Sequence, residues 1–118
     1  AIRIFLRRSS RAVLFYRIPK ALFTEPNFRE LSTDAKVLYG ILLDRMSLSL
    51  KNQWLDAQNK VYIIFTVEEI MDALNCANQK ATRLMVELEK QAGLIERKRQ
   101  GLGRPNLIYV KKLRSNDK

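Results

Sequence analysis

The sequence predicts an α+β domain of the winged helix-turn-helix kind: a three-helix core, a small antiparallel sheet with a basic wing, and an N-terminal arm. Three observations carry that expectation. Between Thr66 and Val110 a capped helix, a second helix and a basic hairpin follow one another with almost no linker. A longer amphipathic helix and a β-rich pentapeptide precede them, giving the order helix, strand, helix, helix, strand, wing, strand, in which the second helix of the close pair is free to enter a major groove. The formal charge is +10, and the cations gather at the chain ends and on the hairpin.

Residues 1–14 mix Ile2, Ile4, Phe5, Leu6, Val13 and Leu14 with Arg3, Arg7, Arg8 and Arg11. Arg7-Arg8-Ser9-Ser10-Arg11 interrupts the apolar stretch before a secretory h-region can form, so these residues read as an arm that packs on the domain or on a second copy. Phe15 to Lys20 is extended, because Ile18 precedes a proline. Ala21, Leu22 and Phe23 form a short anchor, and Glu25-Pro26-Asn27 starts a turn that points Phe28 and Leu31 inward.

Ser32 is an N-cap, and Asp34 complements the dipole in the first turn of the longest helix. Ala35, Leu38, Tyr39, Leu42 and Met46 share one face of it, Ile41 and Leu43 widen that face, and the pattern fades toward Leu50. Asn52 to Lys60 is a polar loop whose Trp54 and Leu55 mark either a packed loop or a contact surface. Val61-Tyr62-Ile63-Ile64-Phe65 is short, β-branched and aromatic, the composition of a buried strand that would complete a three-stranded sheet with the hairpin.

Thr66 and Glu69 have the spacing of a capping box, in which hydroxyl and carboxylate each satisfy an orphaned backbone N–H. Val67, Ile70, Met71 and Leu74 make the apolar stripe of a short helix that ends near Asn75. Cys76, Ala77 and Asn78 leave room for the tight turn of a helix-turn-helix. The next helix buries Ala81, Leu84, Met85 and Leu88, and Gly93 stands where a left-handed C-cap residue is expected.

With that stripe turned inward, Asn78, Gln79, Lys80, Thr82 and Arg83 face outward. Asn and Gln can hydrogen-bond adenine through two atoms, and Arg or Lys can do the same to guanine or contact phosphate. Taken alone, the helix reads equally well as a solvated face. The hairpin shifts the balance. Leu94 to Arg99 and Leu107 to Lys111 read as paired strands around Gln100-Gly101-Leu102-Gly103-Arg104-Pro105-Asn106. Its glycines permit positive φ and Pro105 holds Arg104 extended, so the loop tip projects a cation. Phosphate neutralisation is expected from Lys80, Arg97, Lys98, Arg99, Arg104 and Lys111, and base reading from Gln79, Lys80 and Arg83, with Asn78 near the helix start and Arg104 beside the minor groove. Side chains alternate along a strand, so at least one of Arg97, Lys98 and Arg99 points away from any DNA.

Composition narrows the alternatives. With 118 residues, one core is expected, divided as an arm (1–14), a winged-helix domain (15–113) and a tail or linker (114–118). Arg97, Lys98, Arg99, Arg104, Lys111, Lys112, Arg114 and Lys118 stand against Glu96 and Asp117 at the C-terminal end, whereas acids outnumber bases between residues 25 and 72. A single cysteine and no histidine exclude an internal disulfide and a Cys/His metal cluster, so no cofactor is expected and a reducing cytoplasmic setting fits. No apolar run approaches the roughly twenty residues needed to span a bilayer. An enzyme is disfavoured, because no Walker-type loop is present and Gly101-Leu102-Gly103 lacks the third glycine and following helix of a dinucleotide motif. A start at Ala1 rather than Met is what a processed or trimmed piece of a longer chain would show.

Four blocks, Tyr16 to Phe23, Leu31 to Tyr39, Val61 to Thr66 and Gly93 to Pro105, give the chain its resemblance to the N-terminal domain of the RepA_N family of plasmid replication initiators from low-G+C Gram-positive bacteria. The resemblance covers roughly Phe15 to Leu113; residues 1–14 and Glu89 to Ala92 depart from the family pattern. It implies a winged helix that binds double-stranded DNA at repeated origin sites, usually as a homodimer, with a separate C-terminal domain that could reach replisome proteins. A winged-helix repressor shares the same chemistry, and a protein-interaction module would use Trp54, Leu55 and the arm. Only the resemblance favours the initiator over the repressor.

Overall fold

The computed structural model describes residues 13–113, so the residues 1–12 of the expected arm and the expected tail at 114–118 lie outside the described residues. Pro19 and Lys20 lead into α1 (Ala21–Thr24), a single turn that buries Leu22. A one-turn 3-10 segment, Pro26–Phe28, then brings Leu31 into the core. The long helix α2 (Thr33–Lys51) opens on Ser32, whose Oγ accepts the Ala35 N–H at 3.1 Å, as the cap spacing requires. Its expected inner face is buried from Ala35 through Leu42, Met46 is half-buried, and Leu48 and Leu50 are exposed.

Gly40 sits mid-helix for a packing reason. A Cβ there would lie 2.9 Å from Ile18 Cγ1 and 3.0 Å from the Arg17 carbonyl oxygen, so the extended entry segment crosses α2 at backbone contact that only glycine allows. On the neighbouring residue, the Tyr39 hydroxyl donates to the Lys111 carbonyl. Burial pushes the Tyr39 pKa up to about 12, which keeps it a donor at all ordinary pH.

The loop after α2 is held by its own contacts, while Trp54 and Leu55 remain exposed. Tyr62 N–H donates to the Trp54 carbonyl at 3.3 Å, Leu55 bridges to Val61, and the Trp54 and Tyr62 rings stack with centroids 6.3 Å apart. The Asp56 carboxylate accepts the Gln58 and Lys60 N–H groups at 2.8 and 2.9 Å and the Tyr109 hydroxyl at 2.8 Å, which pins the loop to the sheet.

The Thr66–Glu69 capping box forms as read. Thr66 Oγ1 accepts the Glu69 N–H at 3.1 Å, and Glu69 Oε1 accepts the Thr66 N–H at 2.9 Å, opening α3 (Val67–Leu74). Glu69 Oε2 also accepts from Arg45 Nη2 at 3.3 Å, which ties α3 to α2. Asn75 takes left-handed geometry (φ 53°), Cys76 is half-buried beside the core, and α4 (Asn78–Val86) follows at once. Gly93, also left-handed (φ 65°), ends the helical run as expected.

Two details depart from the sequence reading. Past Val86 the helix widens into a π turn at Glu87–Gln91, in which the Ala92 N–H reaches the Glu87 carbonyl at 3.0 Å. That extra residue keeps Leu88 in the core while Glu87 and Glu89 turn to partners on other elements. The sheet has two strands, β1 (Ile95–Lys98) and β2 (Leu107–Val110), antiparallel with Ile95 opposite Val110 and Lys98 opposite Leu107. The expected third strand is reduced to Ile63, which exchanges both backbone hydrogen bonds with Ile108 at 2.9 Å. Val61 is already paired to Leu55, and Phe65 runs straight into the Thr66 cap, so a single residue remains to face β2.

Candidate nucleic-acid interface

Unlike α2 and α3, α4 starts with neither a side-chain cap nor an acidic residue in its first turn; Ala77 is its N-cap. Its positive dipole end is therefore unquenched by its own residues. Asn78, Gln79, Thr82 and Arg83 are exposed there, while Ala81, Leu84 and Met85 are buried as the stripe predicts. The Thr82 hydroxyl lies 3.5 Å from Asn78 Oδ1, which leaves the Asn78 amide nitrogen directed away from that contact.

The two cations of this helix are not isolated. Lys80 Nζ lies 2.5 Å from Asp34 Oδ2 in the first turn of α2. Arg83 Nε lies 3.9 Å from Glu87 Oε2, a loose contact that leaves the Arg83 side chain 62% exposed. Glu87 is itself committed elsewhere, because its carboxylate accepts the Ser32 N–H at 2.9 Å and the Ser32 hydroxyl at 3.0 Å. The N-terminus of α2 thus supplies one carboxylate to α4 and is capped by another from its end.

The hairpin separates its cations by strand alternation. Arg97 points inward with Ile95 and donates from Nε and Nη2 to Glu89 Oε1 at 3.0 and 2.6 Å, a contact that fastens β1 to the π turn. Lys98 points outward. Lys111, just past β2, lies 3.6 Å from Glu96 Oε2 across the ladder. Around the loop, Gly101 (φ 120°) and Gly103 (φ 75°) take the positive φ that their residue type permits. Gln100 Nε2 donates to the Pro105 carbonyl at 2.7 Å and the Arg104 N–H to the Gly101 carbonyl at 3.2 Å, so the tip has a defined shape. Among the described residues, Lys98, Arg99 and Arg104 form no ion pair.

A cleft of about 280 Å³ lies between the wing and the start of α3, with Thr66 and Val67 on one wall, Met85 at the base and Arg97, Arg104 and Asn106 on the other wall. Of the candidate residues, Asn78, Gln79, Thr82 and Arg83 share the exposed start of α4, Lys98, Arg99 and Arg104 share the wing, and Lys80, Arg97 and Lys111 are drawn to carboxylates. Asp34, Glu89 and Glu96, which hold these three cations, and Glu87, which lies near Arg83, are not marked by the sequence as part of the site. Only the Arg83–Glu87 pair, one helical turn apart, has a sequence signal; Asp34 and Glu89 act across elements.

No group of His, Cys, Asp and Glu among the described residues could hold a metal ion, and no helix there is long and apolar enough to cross a membrane.

Residues 14–118 match the family described as the replication initiator protein A (RepA) N-terminus. The chain belongs to the RepA_N family. This agrees with the resemblance carried by its four sequence blocks. A relative described as a 41 kDa protein of Lactobacillus helveticus is 33% identical over 106 residues, which cover 86% of this chain and 30% of that protein. The chain therefore spans under a third of that relative's length. A structure described as a Rep-DNA complex superposes with a TM-score of 0.76 at 38% identity, over 97% of this chain and 85% of that one. A structure of an MDR initiator does so with a TM-score of 0.73 at 40% identity, over 96% and 86%. The fold is thus the winged helix of Rep N-terminal domains.

Proposed function

We propose that this RepA_N domain binds double-stranded DNA at repeated sites in a plasmid replication origin and so takes part in initiating plasmid replication, without itself doing chemistry on the DNA. The observation that carries this reading is the exposed start of α4, with Asn78, Gln79, Thr82 and Arg83, set beside a wing whose Lys98, Arg99 and Arg104 have no carboxylate partner among the described residues. The similar structure described as a Rep-DNA complex supports it.

In this reading α4 enters the major groove. Gln79, Lys80 and Arg83 reach base edges, Asn78 lies near the helix start, and Arg104 enters or borders the minor groove. Arg97 and Lys111 contribute to the local field while bracing the hairpin. Residues 15–113 are the DNA-binding domain, residues 1–14 an arm, and residues 114–118 a tail or linker. The domain works in the cytoplasm as one of two copies, because a single small winged helix reads too few base pairs for a unique site. The exposed Leu14, Phe15 and Tyr16 beside α2 are the surface proposed for that pairing. Replisome contacts fall to other parts of the longer initiator.

Fluorescence anisotropy tests the reading. A duplex enriched from a random pool on this protein and a shuffled duplex of equal length are titrated across a salt series. The enriched duplex binds more tightly, binding weakens steeply with salt, and Gln79→Ala or Arg83→Ala costs about 1–3 kcal/mol on the enriched duplex alone. Equal, weak binding to both duplexes would sink it.

A further inference from the structure

We infer that Asp34 is a specificity-determining residue of the DNA-binding face, holding Lys80 in an internal ion pair so that this cation is withheld from non-cognate phosphate. The inference rests on the DNA-binding reading above and adds to it a residue outside the recognition helix.

Lys80 lies in the first turn of α4, where the helix dipole disfavours a cation and no acidic residue of the same turn offsets it. Asp34, in the first turn of α2, is where the dipole favours a carboxylate. The contact between them at 2.5 Å therefore relieves Lys80 without straining Asp34. Both side chains remain partly exposed, at 41% and 49%, so DNA can compete for the ammonium.

Competition changes the ion count. A free surface cation that neutralises a phosphate releases one condensed counterion, which is the source of salt-dependent affinity. If Lys80 leaves Asp34 for a phosphate, the abandoned carboxylate regains a cation from solution and the net release falls toward zero. Lys80 then adds little to binding that rests on phosphate alone. On a cognate site, where α4 is seated by base contacts, the ammonium is delivered to a fixed position and the lost pair is offset by contacts that a sliding complex lacks. Asp34 in this way lowers non-specific affinity more than specific affinity.

The test compares the wild-type chain with Asp34→Asn, Lys80→Met and the double variant, by anisotropy over a salt series on a mixed-sequence duplex and on the enriched duplex. Asn suits a helix first turn, and Asp34→Ser serves as a second replacement should the first alter folding, with thermal melts recorded for each. Asp34→Asn is expected to steepen the plot of log affinity against log salt on the mixed-sequence duplex by about 0.9, the value of one released counterion. It raises non-specific affinity about two- to fivefold, the range of an exposed ion pair, and lowers the ratio of specific to non-specific binding. In the Lys80→Met background the steepening disappears.

An unchanged slope, an undiminished ratio, or a steepening that persists without Lys80 overturns the role given to Asp34. Absence of any preference for the enriched duplex in the wild-type chain overturns the DNA-binding reading instead, so the two failures are distinguishable.

Discussion

Lys80 and Arg83 on α4 each face a carboxylate, at 2.5 and 3.9 Å, whereas Lys98, Arg99 and Arg104 around the wing face none among the described residues. The contrast follows from how each region is built. The helix packs against the start of α2, an acidic end by the ordinary logic of helix dipoles, and Lys80 is caught there, whereas Arg83 loosely meets Glu87 one turn further along its own helical run. The wing is a loop held by its own backbone and by Gln100, and none of its three cations meets a carboxylate among the described residues. Under the proposed function, wing charge would act on phosphate at full strength, and helix charge only where the groove supplies something better than a carboxylate. That reading would assign affinity and selectivity to different parts of one basic surface.

The largest effect should come from the wing. Replacing Lys98, Arg99 and Arg104 together by Ala is expected to lower affinity for every duplex by on the order of a hundredfold and to flatten the salt slope by about 3. Anisotropy on the enriched and shuffled duplexes checks it. A loss confined to one sequence would mean that the wing reads bases, and the contrast would break.

Glu87→Ala sharpens the helix side. It removes the carboxylate near Arg83 and also leaves the half-buried Ser32 N–H and hydroxyl without their acceptor, at a cost of about 1–3 kcal/mol in urea unfolding. Glu87→Gln keeps one acceptor oxygen and should lose less. Gly40→Ala separates stability from binding. The added Cβ must push on Ile18 and the Arg17 carbonyl, so the variant should lose about 1–2 kcal/mol in spite of better helix propensity, with duplex preference unchanged in the folded fraction.

The smallest effect is on the acid limb of stability. The Thr66 N–H, burial notwithstanding, holds the Glu69 carboxyl below its usual range, with Arg45 adding to the same direction. A folded pKa lower than the unfolded one contributes stability that is complete above the ordinary glutamate value of about 4.3 and is lost as pH falls through the folded value. Glu69→Gln should therefore flatten the fall of melting temperature below about pH 4. An unaltered acid limb would contradict this.

Sequence legibility divides along the same line as the charge contrast. Features coded locally could be read: the Ser32 cap, the Thr66–Glu69 box, the left-handed Gly93, and the apolar stripes of α2 and α4 all lie within a turn or two of their partners. The inward turn of Arg97 was open to the period-two rule, although its partner Glu89 was not. What escaped was set by contacts between distant elements. Asp34 meets Lys80 only once α2 and α4 pack, and Gly40 is needed only because residues 17–18 cross it. The third strand shrinks to Ile63 because neighbouring residues already have partners, and the π turn gives no periodic signal of its own before it happens.

The most direct test is to follow backbone amide resonances while titrating the enriched duplex. The account predicts the largest shifts and broadening at residues 78–83 and 99–106, with residues 47–62, including Trp54 and Leu55, unmoved. Shifts centred on residues 47–62, or spread evenly over the surface, would contradict a DNA-reading helix and wing.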